Sequence, residues 1–158
     1  MRSGFWGSYG AGLGAFHCTG CRRTESSMAW NLAFGGAVRH NMFLGAELNY
    51  WFKDLRRGLT TRSVDFSTWT IAAYVFPYAN GVHVKAGIGS AEIHFPPDPV
   101  TGELSEHLRH GTGIVLGVGR DVRLFGNVAL TPSAAVFAAR YKSARAHVIS
   151  LTLGLTLL

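Results

Sequence analysis

The two cysteines of the chain, Cys18 and Cys21, stand three residues apart beside His17. In an oxidising compartment such a pair closes a small disulfide loop, and in a reducing one it stays a dithiol. A zinc site is a third reading. His17, Cys18 and Cys21 offer three ligands, and a closed tetrahedral centre needs a fourth, from His94, His107 or His110. Arg22 follows Cys21, so the haem-attachment order is absent. Elsewhere, Glu47 and Lys85 are opposite charges in the interior of segments that are otherwise nearly free of charge, which suits an ion pair. His147 and Ser150 are a base and a hydroxyl close enough in sequence to be weighed as a nucleophilic pair. Arg140, Lys142 and Arg145 concentrate positive charge in one short segment and suit phosphate recognition. Asp98, Glu103, Glu106 and Arg109 give a neighbouring segment the opposite sign.

What positions these residues follows from composition and period. The chain has 158 residues, 47% hydrophobic and 15% charged, with 15 Lys+Arg against 9 Asp+Glu for a net +6. Soluble domains carry roughly 25% charged residues. The length fits a single domain over 1–158, and 20 glycines with so little charge exclude a disordered chain or a coiled coil. A transmembrane helix needs about 20 consecutive apolar residues. Phe66 to Val84, as long an uncharged stretch as any in the chain, is broken by Pro77, Asn80 and Gly81, a turn sequence. No signal peptide precedes Phe5-Trp6-Gly7, which predicts a trimmed N-terminus.

A period of two fits segment after segment. In 42–53, Met42, Leu44, Ala46, Leu48, Tyr50 and Phe52 share one face, and Phe43, Gly45, Glu47, Asn49, Trp51 and Lys53 the other. The pattern predicts eight strands, at 5–16, 28–38, 42–53, 67–76, 82–93, 111–119, 127–138 and 146–158. Their lengths match the roughly 9–11 residues a tilted strand needs to cross a bilayer. The connections run long, short, long, short, long, short, medium: 17–27, 39–41, 54–66, 77–81, 94–110, 120–126 and 139–145. An all-β, eight-stranded antiparallel up-and-down transmembrane β-barrel has this signature.

Charge placement tests the pattern independently. The eight spans hold four charges, Glu47, Lys53, Lys85 and Glu92, in 91 residues, while the other 67 hold 20. Glu47 and Lys85 fall on the face of Gly, Ser, Thr, Ala and Asn. That face is a poor soluble surface and a plausible lumen, so the greasy face is expected outward, unlike a lipocalin-type soluble barrel. Trp30, Tyr50, Phe52 and Trp69 near the long-loop ends, and Phe5, Tyr78 and Phe125 near the short turns, read as aromatic girdles.

The whole pattern, with Gly10-Ala11-Gly12-Leu13-Gly14, Phe43-Leu44-Gly45-Ala46-Glu47-Leu48-Asn49, Val84-Lys85-Ala86-Gly87-Ile88-Gly89 and Gly117-Val118-Gly119 through Leu130-Thr131-Pro132, resembles the small outer-membrane β-barrel proteins of Gram-negative bacteria. This is the eight-stranded, porin-like group that includes the barrel domain of outer-membrane protein A. Cys18-Thr19-Gly20-Cys21 is similar to a Cys-x-Gly-Cys found in an uncharacterised subset. Leu158 departs from the aromatic residue with which the family usually ends. The resemblance implies a cell-envelope protein of the bacterial outer membrane, assembled by the barrel assembly machinery, with termini on the periplasmic side and long loops outside.

Several expectations follow. In the oxidising envelope Cys18 and Cys21 form a disulfide. Glu47 and Lys85 form a lumen ion pair across the intervening strand, and the alternative is a narrow porin-like channel gated by that pair. Some such barrels modify lipid A, but His147 and Ser150 have opposite parity and cannot easily cooperate. The expected role is structural or surface-interacting, as a monomer, with no catalysis and no cofactor. Arg140, Lys142 and Arg145 are the expected contact with lipopolysaccharide, alongside outer-membrane lipid, while Arg22, Arg23, Arg56, Arg57 and Arg62 add basic charge to the first two long loops. A nucleic-acid partner is not expected, because no stacking platform accompanies the basic residues.

Overall fold

The computed structural model describes residues 4–19, 21, 23–57, 60–95, 107–142 and 144–157, with the backbone course alone for 55–57, 60–62, 95 and 107–109. The described residues form nine strand segments and no helix. They are β1 (Phe5–Cys18), β2 (Glu25–Arg39), β3 (Met42–Arg57), β4 (Thr60–Val75), β5 (Val82–Phe95), β6 (His107–Arg120), β7 (Val122–Phe125), β8 (Val128–Arg140) and β9 (Arg145–Leu157). Chain neighbours pair antiparallel except β6 and β7, which both pair with β8, and β1 pairs with β9, so the sheet closes on itself. β6 and β7 are one barrel strand broken at Asp121: Gly119 opposes Ser133 and Val122 opposes Leu130 in the same register. The architecture is therefore a closed eight-stranded antiparallel barrel.

The expected strands are all present, and several are longer than periodicity gave. The largest difference is at the second long loop. Pairing between β3 and β4 continues from Lys53 opposite Val64 to Arg57 opposite Thr60, so most of 54–66 is ladder rather than loop. Charges at 54, 56, 57 and 62 mask that extension, because a hairpin standing beyond an apolar band needs no apolar face. The expected third loop also shrinks, since β5 reaches Phe95 and β6 starts at His107. Asp98, Glu103 and Glu106 of that loop lie outside the described residues, as does Arg22, and the side chains of Arg56, Arg57, Arg62, His107 and Arg109 do too.

The pleat decides which side chains meet. On β9, Ala146, Val148, Ser150 and Thr156 are buried, while Ile149, Leu151, Leu153, Leu155 and Leu157 are exposed. Around the ring Leu13, Ile71, Ile88 and Leu151 are 63–69% exposed. Glu47, by contrast, is fully buried at 0%. The polar face is thus inside and the greasy face outside, the reverse of a soluble barrel. A one-residue slip would exchange the two faces, so the apolar alternation fixes register strand by strand. At the β4–β5 turn Asn80 Oδ1 accepts the amide of Val82 at 3.1 Å. Gly81 there has φ +83° and lies against the Asp121 carbonyl, where a Cβ has neither the conformation nor the room.

Candidate functional site

An eight-stranded barrel is just wide enough for side chains to fill it. Here the filling is layered. In the half nearer the long loops, Phe16 stacks on Trp51 with centroids 4.8 Å apart and packs against Phe66 at 5.8 Å. Phe66 in turn stacks on Phe137 at 5.6 Å. All four rings are buried, and Val115, Val148 and Ile93 complete the layer. Gly14 makes room, since a Cβ there would come within 2.9 Å of the Trp51 ring. The indole N–H of Trp51 donates to the Gly14 carbonyl at 3.0 Å, satisfying its one polar atom.

Beneath this plug lies a polar chamber. Lys85 Nζ donates to Glu47 Oε1 at 2.5 Å, and the Tyr74 hydroxyl donates to Oε2. β3 and β5 bring the two charges in from either side of β4, which supplies Tyr74. Gly117 accommodates the lysine stem, whose Cε would stand 2.7 Å from any Cβ at that position. A second group completes the chamber. The Thr131 hydroxyl donates to Asp121 Oδ1 at 2.8 Å and accepts from Thr156 at 2.7 Å, and the Thr156 and Ser8 hydroxyl oxygens lie 3.0 Å apart. His83 Nδ1 lies 3.8 Å from Asp121 Oδ1, and its ring packs 5.8 Å from that of Tyr74. A cavity of about 30 Å³ remains between Trp6, Tyr74, His83, Lys85 and Asp121, room for about two waters. Trp6, Phe43 and Phe76 close the short-turn end edge-to-face, with centroids 6.0 Å and 5.5 Å apart. The lumen is a polar layer held between two aromatic ones.

At the long-loop rim Cys18 and Cys21 are joined in a disulfide, with Cα atoms 5.1 Å apart. The resulting turn docks on the last hairpin. Thr19 N donates to the Arg145 carbonyl at 2.8 Å, and Arg145 N donates to the Thr19 hydroxyl at 3.3 Å. Arg140, Lys142 and Arg145 are exposed around the β8–β9 turn. Arg140 and Arg145 oppose each other across the ladder. On the opposite side of the barrel wall, facing the lumen, the ammonium of Lys53 pairs with the carboxylate of Glu25.

The sequence pattern brought Glu47 to Lys85, and the structure joins them; it also places Tyr74, which alternation puts on the same face, against the pair. His147 and Ser150 point to opposite sides of β9, Ser150 buried and His147 outward. With both thiols in one disulfide, a zinc centre has lost two ligands, and His94 and His110 stand on β5 and β6, on the far wall from β1. Among the described residues no three His, Cys, Asp or Glu side chains are gathered to hold a metal ion. The sequence does not single out Asp121, because a short break in a strand reads as a turn, and the signal for His83 is its shared parity with Lys85.

No family model and no curated protein matches the chain. Solved structures do. Neisserial surface protein A superposes with a TM-score of 0.75 at 10% identity, over 98% of this chain and 97% of that one. Ail, the attachment invasion locus protein of Yersinia pestis, superposes with a TM-score of 0.64 at 10% identity, over 99% and 100%. A structure of Ail in complex with the heparin analogue sucrose octasulfate gives 0.60 at 13% identity, over 98% and 99%. The chain has the fold of the small eight-stranded outer-membrane β-barrels.

Proposed function

We propose that this chain is a monomeric, integral outer-membrane barrel with its termini on the periplasmic side. It acts without catalysis, as a structural and surface-interaction protein whose basic long-loop rim engages the anionic headgroups of lipopolysaccharide. The observation that carries the reading is the split of the surface into a continuous outward apolar band and a rim bearing Arg23, Arg140, Lys142 and Arg145, all exposed. Such a band is stable only against lipid, and the rim then stands at headgroup level. Barrel closure leaves no open edge for a second copy, which supports the monomer. That the Ail barrel has been solved with a sulfated sugar supports anion recognition by this fold at the surface. Insertion by the barrel assembly machinery is part of the same reading.

The test has two parts. Cell fractionation and heat-modifiable gel mobility are expected to place the folded protein in the outer membrane. In detergent, lipopolysaccharide is expected to bind more weakly to the Arg140→Ala/Arg145→Ala variant; equal binding would overturn the headgroup assignment.

The polar chamber is the observation favouring a porin-like channel. It stops at the Phe16, Trp51, Phe66 and Phe137 layer, whose rings are 0–4% exposed, so the chamber reads as filling rather than conduit.

A further inference from the structure

One cation stands on the outward face in the short-turn half of the barrel, well away from the basic long-loop rim. Arg120 closes β6 and lies outward, between the buried residues Gly119 and Asp121. The outward residue before it is Val118. Because β7 continues β6 in the same register, the outward residues after it are Val122 and Leu124. These three are 44–50% exposed, so apolar surface flanks Arg120 on both sides along the strand. Across the ladder on β5 it opposes Val82. At about 3.3 Å per residue, about 13 Å of strand separates Arg120 from Leu124.

A guanidinium on a lipid-facing surface costs more the deeper it lies, and an anion beside it offsets that cost. The protein supplies none. Among the described residues no group forms a hydrogen bond or ion pair with the Arg120 side chain. The carboxylate of Asp121 is on the inner face, where Thr131 donates to it. The outward acids Asp65 and Glu92 stand in the long-loop halves of β4 and β5.

Beside Arg120 the wall is grooved. A cavity of about 440 Å³ is lined by Val82, Val118, Arg120, Pro132, Ala134 and Leu151. Val118, Ala134 and Leu151 stand in one rung across β6, β8 and β9, so the short alanine leaves a trough between two longer side chains. Pro132 continues that trough toward the short turns, level with Arg120 in the register that runs from Gly119 opposite Ser133 to Val122 opposite Leu130. The trough therefore has a cation at its short-turn end and an apolar floor leading toward the middle of the outward band.

We propose that Arg120 and this trough bind one glycerophospholipid of the leaflet at the short-turn end. Its phosphodiester accepts the guanidinium, and one acyl chain lies over Pro132 and Ala134. The polarity matches, because such a lipid carries its phosphate at the interface and its chain toward the membrane centre. Arginine suits the position better than lysine would: its planar fork meets two phosphate oxygens at once, and it is the more weakly hydrated cation. Its apolar stem can lie along the wall while the head reaches toward the interface. A soluble partner has no access to a trough within the apolar face. The inference rests on the outer-membrane reading, which makes that leaflet the periplasmic one, and is independent of the lipopolysaccharide contact at the other rim.

Native mass spectrometry of the full chain released from detergent, after mixing with dioleoylphosphatidylglycerol or with dioleoylglycerol, tests this. The second lipid has the chains without the phosphate. The phospholipid is expected to form a one-to-one adduct about tenfold more abundant, the worth of one charge-assisted hydrogen bond. Arg120→Gln is expected to bring it down to the dioleoylglycerol level, and Ala134→Leu, which fills the trough, to reduce both adducts. An adduct that survives Arg120→Gln, or one indifferent to Ala134→Leu, overturns the site. An equal loss with Arg123→Gln would show a response to basic charge in general and overturn Arg120 as the anchor. A dimer without lipid would overturn the phospholipid as occupant of this face. Absence of the barrel from the outer-membrane fraction would instead overturn the reading that assigns the leaflet. Retained heat-modifiability certifies that each variant is folded.

Discussion

Lys85 and Glu47 are 38 residues apart in the chain and on strands that do not pair, and yet Nζ and Oε1 meet at 2.5 Å inside the barrel. The contact exists because alternation sends both side chains inward and β4, between them, contributes mostly small residues at that level, Thr70 and Ala72.

Removing one partner leaves a buried charge unpaired. Lys85→Met is expected to destabilise the barrel by about 3–5 kcal/mol, the usual cost of breaking a buried pair. The measurement is the urea midpoint in detergent. Lys85→Met combined with Glu47→Leu is expected to recover most of the loss; a double variant as unstable as the single one would mean the two charges are not coupled.

The aromatic layer predicts a non-conducting protein. Purified barrel in planar bilayers is expected to show no single-channel steps, and Phe66→Ala/Phe137→Ala to show them, at a stability cost of about 3–5 kcal/mol per ring. Steady conductance from the wild type, altered by Lys85→Met, would restore the channel reading.

Lipid exposure has a depth signature. Leu151→Arg, in the middle of the outward face of β9, is expected to cost about 2–4 kcal/mol of folding into lipid, whereas an arginine replacing His147 near the rim costs about 0–1 kcal/mol. Refolding into vesicles of phosphatidylcholine measures both. Equal effects at the two positions would argue that β9 does not cross a bilayer.

The disulfide turn closes too short a loop to govern the barrel. By loop-closure entropy Cys18→Ser/Cys21→Ser costs at most about 2 kcal/mol. Its local effect is larger: amide exchange at Thr19 and Arg145, whose N–H groups tie the turn to the last hairpin, is expected to accelerate. Unchanged exchange at both amides would show that the tie does not depend on the disulfide.

Strand number, direction and facing were legible because each of those properties is written locally, as the parity of Leu and Ile along β9 or of Glu47 and Trp51 along β3. The Glu47–Lys85 contact was legible for the same reason, needing only that β3 and β5 flank β4. What parity does not carry is height along the barrel axis. Strand tilt and stagger decide that Phe16 meets Trp51 and Phe66, so the plug emerges only in three dimensions. The outward pairing of His17 with His147 depends on how the first strand registers with the last, and no turn of the chain sets that register. Asp121 was hidden for a different reason. It sits where β6 gives way to β7 without a change of register, and a short polar interruption reads as a turn.

A closed ring has no first strand. β1 and β9 meet along a ladder like the others, with Gly7 opposite Leu157, so the start of β1 and the end of β9 lie side by side at the short-turn mouth. A circular permutant that joins those ends by a short linker and opens at the turn between Pro77 and Gly81 would therefore draw the same circle from a new starting point. What the native order sets is where the seam falls, between the strands nearest the two ends of the sequence.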